Sequence, residues 1–150
     1  SGDAVHEPGN FKAPFGMNQA ELIEAAGGYK VDPEKIISGG PMMGFSMFTV
    51  DVPVTKTSSS ILCFTKDEVA QYEPTACINC GRCVEVCPSR LIPSRLADYA
   101  EHHDEEAFTK HEGLECMECG SCSYVCPAKR QLKQAIGSMR KTALANRKKK

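Results

Sequence analysis

Eight of the nine cysteines fall into two runs, "CINCGRCVEVCP" from Cys77 to Pro88 and "CMECGSCSYVCP" from Cys116 to Pro127. Both read C-x2-C-x2-C-x3-C-P. They stay in register at an offset of 39 residues, pairing Cys77 with Cys116, Cys80 with Cys119, Gly81 with Gly120, Cys83 with Cys122 and Cys87 with Cys126. Such spacing suits a cubane iron–sulfur cluster. Three closely spaced thiolates wrap a tight loop around three irons. The loop turns its backbone N–H groups toward the sulfurs, which offsets their negative charge. Gly81 and Gly120 give backbone freedom where the loop turns. The fourth cysteine follows after a helical step, and a proline fixes the exit. Zinc usually takes C-x2-C pairs with a long gap between them, and four cysteines so crowded fit it poorly. A disulfide scaffold would spread its cysteines along a shorter, secreted chain. A redox dithiol needs one pair and a βαβ context. Two copies of one long motif favour iron–sulfur over all three.

The doubled motif resembles that of two-cluster ferredoxins, in which the fourth cysteine of each run ligates the other cluster. That resemblance implies one [4Fe-4S] cluster on Cys77, Cys80, Cys83 and Cys126, and another on Cys116, Cys119, Cys122 and Cys87. With four protein thiolates each, such clusters have no open position for substrate and move one electron at a time. Arg82, Arg90, Lys129 and Arg130 near the runs would favour the reduced state, and Glu85, Glu115 and Glu118 oppose it. Between the runs, "PSRLADYAEHH" and "DEEAFTKH" have helical composition. A compact clostridial-type ferredoxin would place strands there. Two helices instead resemble the all-helical arrangement of the iron–sulfur subunits of fumarate and heterodisulfide reductases.

These elements must be positioned by a chain of 150 residues, 25% charged and 41% apolar, enough for one domain or two small ones. No apolar run reaches the roughly 18 residues of a membrane helix. The start lacks the basic and apolar regions of a signal peptide. Reduced thiols committed to a metal in the cytosol are the expectation, and the chain is expected to be soluble. Two domains are expected, an α+β unit over residues 1–64 and a helical unit over residues 65–150. In the first, "NQAELIEAAGG" reads as a short helix, with Asn18 as cap, Glu21 completing a capping box and Gly27-Gly28 as the stop. "EKIIS", "MFTVDV" and "SSILCF" read as strands, the second alternating Phe48, Val50 and Val52 against Thr49 and Asp51. In the second, Thr65 with Glu68 reads as a capping box opening "KDEVAQY". Pro127 reads as the first residue of a last helix with a stripe of Leu132, Ala135, Ile136, Met139 and Ala143. Gly137 should weaken that helix by about 1 kcal/mol relative to alanine.

With both parts in view, the chain resembles the C subunit of the Rnf electron-transport complex, in its C-terminal region. The residues that carry the resemblance are "GDAVHEPGNF", "ELIEAAGG", "SGGPMMG", "DVPVTKTSSSIL", "CINCGRCVEVCPSRLIP" and "ECMECGSCSYVCP", in order from residue 2 to 127. The resemblance implies a small β-grasp domain of the soluble-ligand-binding (SLBB) type, then an all-helical ferredoxin-type domain with a basic C-terminal helix and tail. It implies a one-electron relay within a membrane-associated ferredoxin/NAD oxidoreductase complex that moves Na+ or H+. The implied partners are the other subunits of that complex and a ferredoxin-type donor or acceptor. The implied location is cytoplasmic, peripheral on the inner face of the cell membrane. FMN and NAD are expected only on an N-terminal portion outside this sequence, which holds neither G-x-G-x-x-G nor a P-loop. After the last run, "AKRQLKQ" is more basic than the family pattern.

The alternative is a ligand- or partner-binding adaptor whose clusters mainly brace the fold. Charge is unevenly placed: residues 1–64 carry 4 basic and 7 acidic groups, residues 65–135 carry 8 and 12, and residues 136–150 carry 6 and none. The basic end, Arg147-Lys148-Lys149-Lys150, reads first as a solvated helix end, and nucleic acid is not an expected partner. "SGGPMMG" reads as a turn between strands, ahead of a ligand loop, with Met42 and Met43 packed as core. Cys63 reads as a buried structural thiol, and His102 and His103 as surface residues. No catalytic constellation is visible: no nucleophile stands beside a placed base, and no carboxylate pair is distinguished.

Overall fold

Asn18 sets where the first helix begins. In the computed structural model of the protein, which describes residues 1–148, helix α1 spans Gln19–Ala25, and the Asn18 side chain accepts from the Ala20 N–H at 2.9 Å. Gly27 and Gly28 end it with φ of 78° and 75°. Three short strands follow, β1 (Lys35–Ser38), β2 (Phe45–Met47) and β3 (Ile61–Phe64). They form an antiparallel sheet in the order β2-β1-β3, with Ile36 opposite Met47 on one side and Cys63 on the other. Ala4, Val5, Ile23, Ala26 and Cys63 make the core of this unit, which ends near Gln71. Cys63 is fully buried, as expected, and burial raises its thiol pKa. The fold is thus α+β.

Several expectations for this unit give way. The strand placed on "MFTVDV" lies earlier, and Phe48 is exposed. The Val54 N–H donates to the Met17 carbonyl and the Gln19 N–H to the Val52 carbonyl. That stretch therefore satisfies its backbone beside the start of α1 rather than on β1. "GGPMMG" is a turn between β1 and β2, but Met42 and Met43 point to solvent instead of packing. No helix opens at Thr65. Its N–H and hydroxyl both donate to the Asp3 carboxylate, so the expected cap is engaged across the fold, and Asp67 beside the expected Glu68 pairs with Lys35 at 2.7 Å.

From Tyr72 onward the regular elements among the described residues are helices. They are α2 (Arg82–Glu85), α3 (Pro93–Glu101), α4 (Glu105–Lys110), a 3-10 turn (Gly113–Glu115), α5 (Ser121–Tyr124) and α6 (Leu132–Lys148). Pro93 opens α3, and Asp104 caps α4 by accepting from the Ala107 N–H at 2.9 Å. Leu91, Leu96, Ala97, Ala100, Phe108, Leu132, Ile136 and Met139 form one core, so the stripe expected on the last helix does face inward. That helix begins at Leu132 rather than Pro127. Lys129 has a φ of 54°, which breaks a helical path. The Ser123 hydroxyl accepts the Lys133 N–H at 2.9 Å, in the first turn. Arg147 and Lys148 close α6, and Lys149 and Lys150 lie outside the described residues. No helix among the described residues is long and apolar enough to cross a membrane.

Candidate metal centre

The repeat of 39 residues holds in the backbone as well as in the cysteines. Gly81 and Gly120 have φ of 77° and 84°, and each precedes a four-residue helix, α2 or α5. Asn79 and Glu118 are left-handed at 54° and 55°, and Arg90 and Lys129 are both at 54°. These non-glycine positions match across the repeat, so the strain belongs to the loop design. The turn bonds match too. The Cys87 N–H donates to the Val84 carbonyl and the Cys126 N–H to the Ser123 carbonyl, while the Arg90 and Lys129 N–H groups donate to the carbonyls of Cys87 and Cys126. Each run is therefore a loop, one helical turn and a reversal, which aims its fourth cysteine away from its first three.

Two cavities result. One is lined by Cys87 from the first run with Cys116, Cys119 and Cys122 from the second. The other is lined by Cys77, Cys80 and Cys83 with Cys126. The empty space in and at the mouths of the two is nearly equal, about 390 and about 380 Å³. Leu91, Leu96, Pro93 and Ile136 wall the first, and Ile78, Pro127, Ala128 and Leu132 border the second. Among the described residues, no three His, Cys, Asp or Glu side chains crowd together as around a single ion. In each cavity four sulfurs instead border a shared space, as a polynuclear centre with its own inorganic core requires. Four thiols in each lining, against largely apolar walls, suit an iron–sulfur cluster.

The protein also presents hydrogen bonds to the sulfurs. The Leu91 N–H donates to Cys87 Sγ at 3.3 Å, and the Glu118 N–H to Cys116 Sγ at 3.4 Å. Burial pushes the Cys116 thiol up and the Cys122 thiol up to about 11. The Ser121 hydroxyl, 3.5 Å from Cys119 Sγ, holds that thiol down. Of the charged residues near the runs, Arg130 is committed elsewhere: it holds Asp98 and Glu101, both at 2.8 Å. His102 and His103 are exposed, and the His102 ring bonds only to the backbone of its own helix. The left-handed positions escape a reading of composition and spacing, and so does the place of Glu118 in a cavity wall. The matched offset of Asn79 with Glu118 and of Arg90 with Lys129 is the signal that could find them.

The first unit holds a separate, wider pocket. Phe11, Phe15, Leu22, Ile23 and Ile61 supply apolar walls, and Thr55, Ser58, Ser59 and Ser60 supply hydroxyls. Gln19 lines it too, 3% exposed, with an Oε1 that has no hydrogen-bond partner among the described residues.

Residues 76–130 match the family model described as a 4Fe-4S dicluster domain, and residues 1–46 match that of the SLBB domain. The chain is 42% identical over 149 residues to the C subunit of the Na+-translocating ferredoxin:NAD+ oxidoreductase complex of Acetobacterium woodii, covering 99% of this chain and 34% of that protein. It is 46% identical over 97 residues to the C subunit of the proton-translocating ferredoxin:NAD+ oxidoreductase complex of Clostridium ljungdahlii, covering 65% of this chain and 21% of the relative. It is 43% identical over 98 residues to the C subunit of the ion-translocating oxidoreductase complex of Methanosarcina acetivorans, covering 65% and 22%. The chain spans about a third or less of the length of these relatives.

Proposed function

Since the chain belongs to the family of C subunits of Rnf-type ion-translocating oxidoreductase complexes, we propose that it is a one-electron relay within such a complex. One [4Fe-4S] cluster would be held by Cys77, Cys80, Cys83 and Cys126, and the other by Cys116, Cys119, Cys122 and Cys87. The observation that carries this reading is the lining of the two cavities, three cysteines from one run and the fourth from the other. When bound, clusters of this kind supply reversible one-electron uptake without an open coordination position. The chain's residues do the rest. Eight thiols bind, and the N–H groups of Leu91 and Glu118 stabilise negative charge on Cys87 and Cys116. Leu91, Leu96 and Ile136 keep water from the inner side of the Cys116 cavity.

The first unit is read as an SLBB domain of β-grasp type and the second as an all-helical ferredoxin-type domain. The electrons would pass between a ferredoxin-type carrier and NAD, with FMN and NAD held by parts of the longer protein outside this chain. The complex would pump Na+ or H+, with this protein peripheral on the cytoplasmic face of the membrane. Anaerobically reconstituted protein should be brown and hold about eight irons and as much sulfide, four of each per cubane. Reduced samples should give EPR signals of two interacting centres. Protein that takes up zinc but no iron and sulfide would sink the reading.

The wide pocket of the first unit favours a second reading, a ligand-binding adaptor whose clusters brace the fold. Its unpartnered Gln19 Oε1 calls for a donor from outside. This reading gains if the clusters are redox-silent between about −700 and +450 mV.

A further inference from the structure

The two runs share backbone and thiols, yet they differ in charge at three matched positions, Asn79 against Glu118, Arg82 against Ser121 and Glu85 against Tyr124. Of these only the first puts an acidic residue in a cavity lining. Glu118 occupies the place that Asn79 holds in the first run. Both lie between the first and second cysteines of their loops, and both are left-handed. Asn79 carries a neutral amide whose Oδ1 stands 3.7 Å from Cys77 Sγ. Glu118 carries a carboxylate; the residue lines the cavity of Cys87, Cys116, Cys119 and Cys122, with its N–H on Cys116 Sγ, and on its other side it borders an open cleft with Lys133, Gly137 and Lys141.

That carboxylate is fixed in place. Arg140 Nη1 holds its Oε1 at 3.4 Å, while Arg140 Nε donates to the Leu114 carbonyl at 2.9 Å. Gly137 of α6 leaves the room: a Cβ there would stand 2.9 Å from Glu118 Oε2. A glycine that costs helix stability is thus the floor on which the carboxylate rests. The Glu118 side chain is only 24% exposed, so water screens it incompletely.

We propose that Glu118 sets the potential of one site: its carboxylate makes the Cys87/Cys116/Cys119/Cys122 centre harder to reduce than an amide there would. The inference rests on the two-cluster reading above. Uptake of one electron adds one negative charge to a centre already negative from its thiolates, with no bond made or broken and no proton moved. A carboxylate beside it opposes that charge. Arg140 and Lys133 compensate in part, but the Arg140 contact is long and Arg140 is 31% exposed. The N–H groups of Leu91 and Glu118 act in the opposite sense at the same site. Glu118 therefore tunes the site without deciding alone which centre has the lower potential.

The test is an EPR-monitored potentiometric titration of the intact, anaerobically loaded protein, with iron and sulfide measured on the same samples. Glu118→Gln keeps a hydrogen-bond acceptor for Arg140 and removes the charge. It should raise one of the two potentials by about tenfold in the reduction equilibrium, ~59 mV for a one-electron couple, and leave the other in place. Asn79→Asp should lower the other potential, which assigns the two waves to the two sites. Arg140→Gln should lower the potential that Glu118→Gln raises. Unmoved or equally moved potentials in Glu118→Gln, at full iron content, would overturn the role of Glu118 and leave the two-cluster reading intact. If Glu118→Gln fails to load, a Gly137→Ala variant decides, since its Cβ displaces the carboxylate: a raised potential at the same site supports the role, and no change overturns it. Wild-type protein that binds no iron and sulfide would remove both the reading and the inference.

Discussion

The two cysteine runs fold alike and live in different surroundings. Residues 71–80, which lead into the first run, are exposed throughout, Cys77 and Cys80 included. The corresponding approach to the second run is tied down. Phe108 is fully buried, and Gly113 packs flat on its ring, where a Cβ would collide with the ring carbons. Gly120 is buried while Gly81 is only half-buried. The comparison teaches that a duplicated motif dictates ligand spacing and loop shape, and that the fold around each copy dictates access and field.

The largest effect should come from exchanging the crossed cysteines. Cys87→Ser should cost the cluster of Cys116, Cys119 and Cys122, and Cys126→Ser the cluster of Cys77, Cys80 and Cys83. Each variant should retain about four irons, and the two should leave different EPR signals. If Cys87→Ser instead damages the Cys77 site, each run serves itself and the crossed arrangement is wrong. Next in size, Phe108→Ala should destabilise the helical unit by about 3–5 kcal/mol in denaturant titration. A loss below about 1 kcal/mol would mean that the second run does not depend on this packing.

The difference in exposure predicts an order of loss. An iron chelator should strip the Cys77/Cys80/Cys83/Cys126 centre before its partner, read as sequential loss of the two EPR signals. Simultaneous loss would show that exposure at Cys77 and Cys80 does not control access. The smallest effect belongs to Arg130→Met. Arg130 is 11% exposed, but Asp98 and Glu101 are about half exposed, so the loss should be near 1 kcal/mol after allowance for solvent screening. Because Arg130 borders the Cys77 cavity, the change should disturb that centre rather than the other.

Local signals carried much of the fold. Asn18 with Gly27 and Gly28 marked α1, and the 3.6-residue stripe of Leu132, Ile136, Met139 and Ala143 marked the buried face of α6. Two of the failures have a common cause. Thr65 carries a good capping signature, yet its donors go to Asp3, 62 residues away. The alternation through Phe48 and Val50 looks like a strand, yet the following stretch bonds near Met17. Met42 and Met43 are apolar by type and exposed by position. At Thr65 and in the stretch after Met47, partners distant in sequence outweighed a local preference worth about 1 kcal/mol.

At the metal centre, the sequence by itself determined the eight thiols, their two-fold repetition and the glycines that let each loop turn, because spacing and backbone freedom are local properties. Only the tertiary structure decided which four thiols border one cavity, since that depends on how α2 and α5 pass each other. It also decided that Glu118 lies on Gly137 and Arg140, a contact between a loop and a helix that no spacing rule encodes. Charge reads from the sequence, but the field at a site depends on distance and on the water excluded between, and those come from packing.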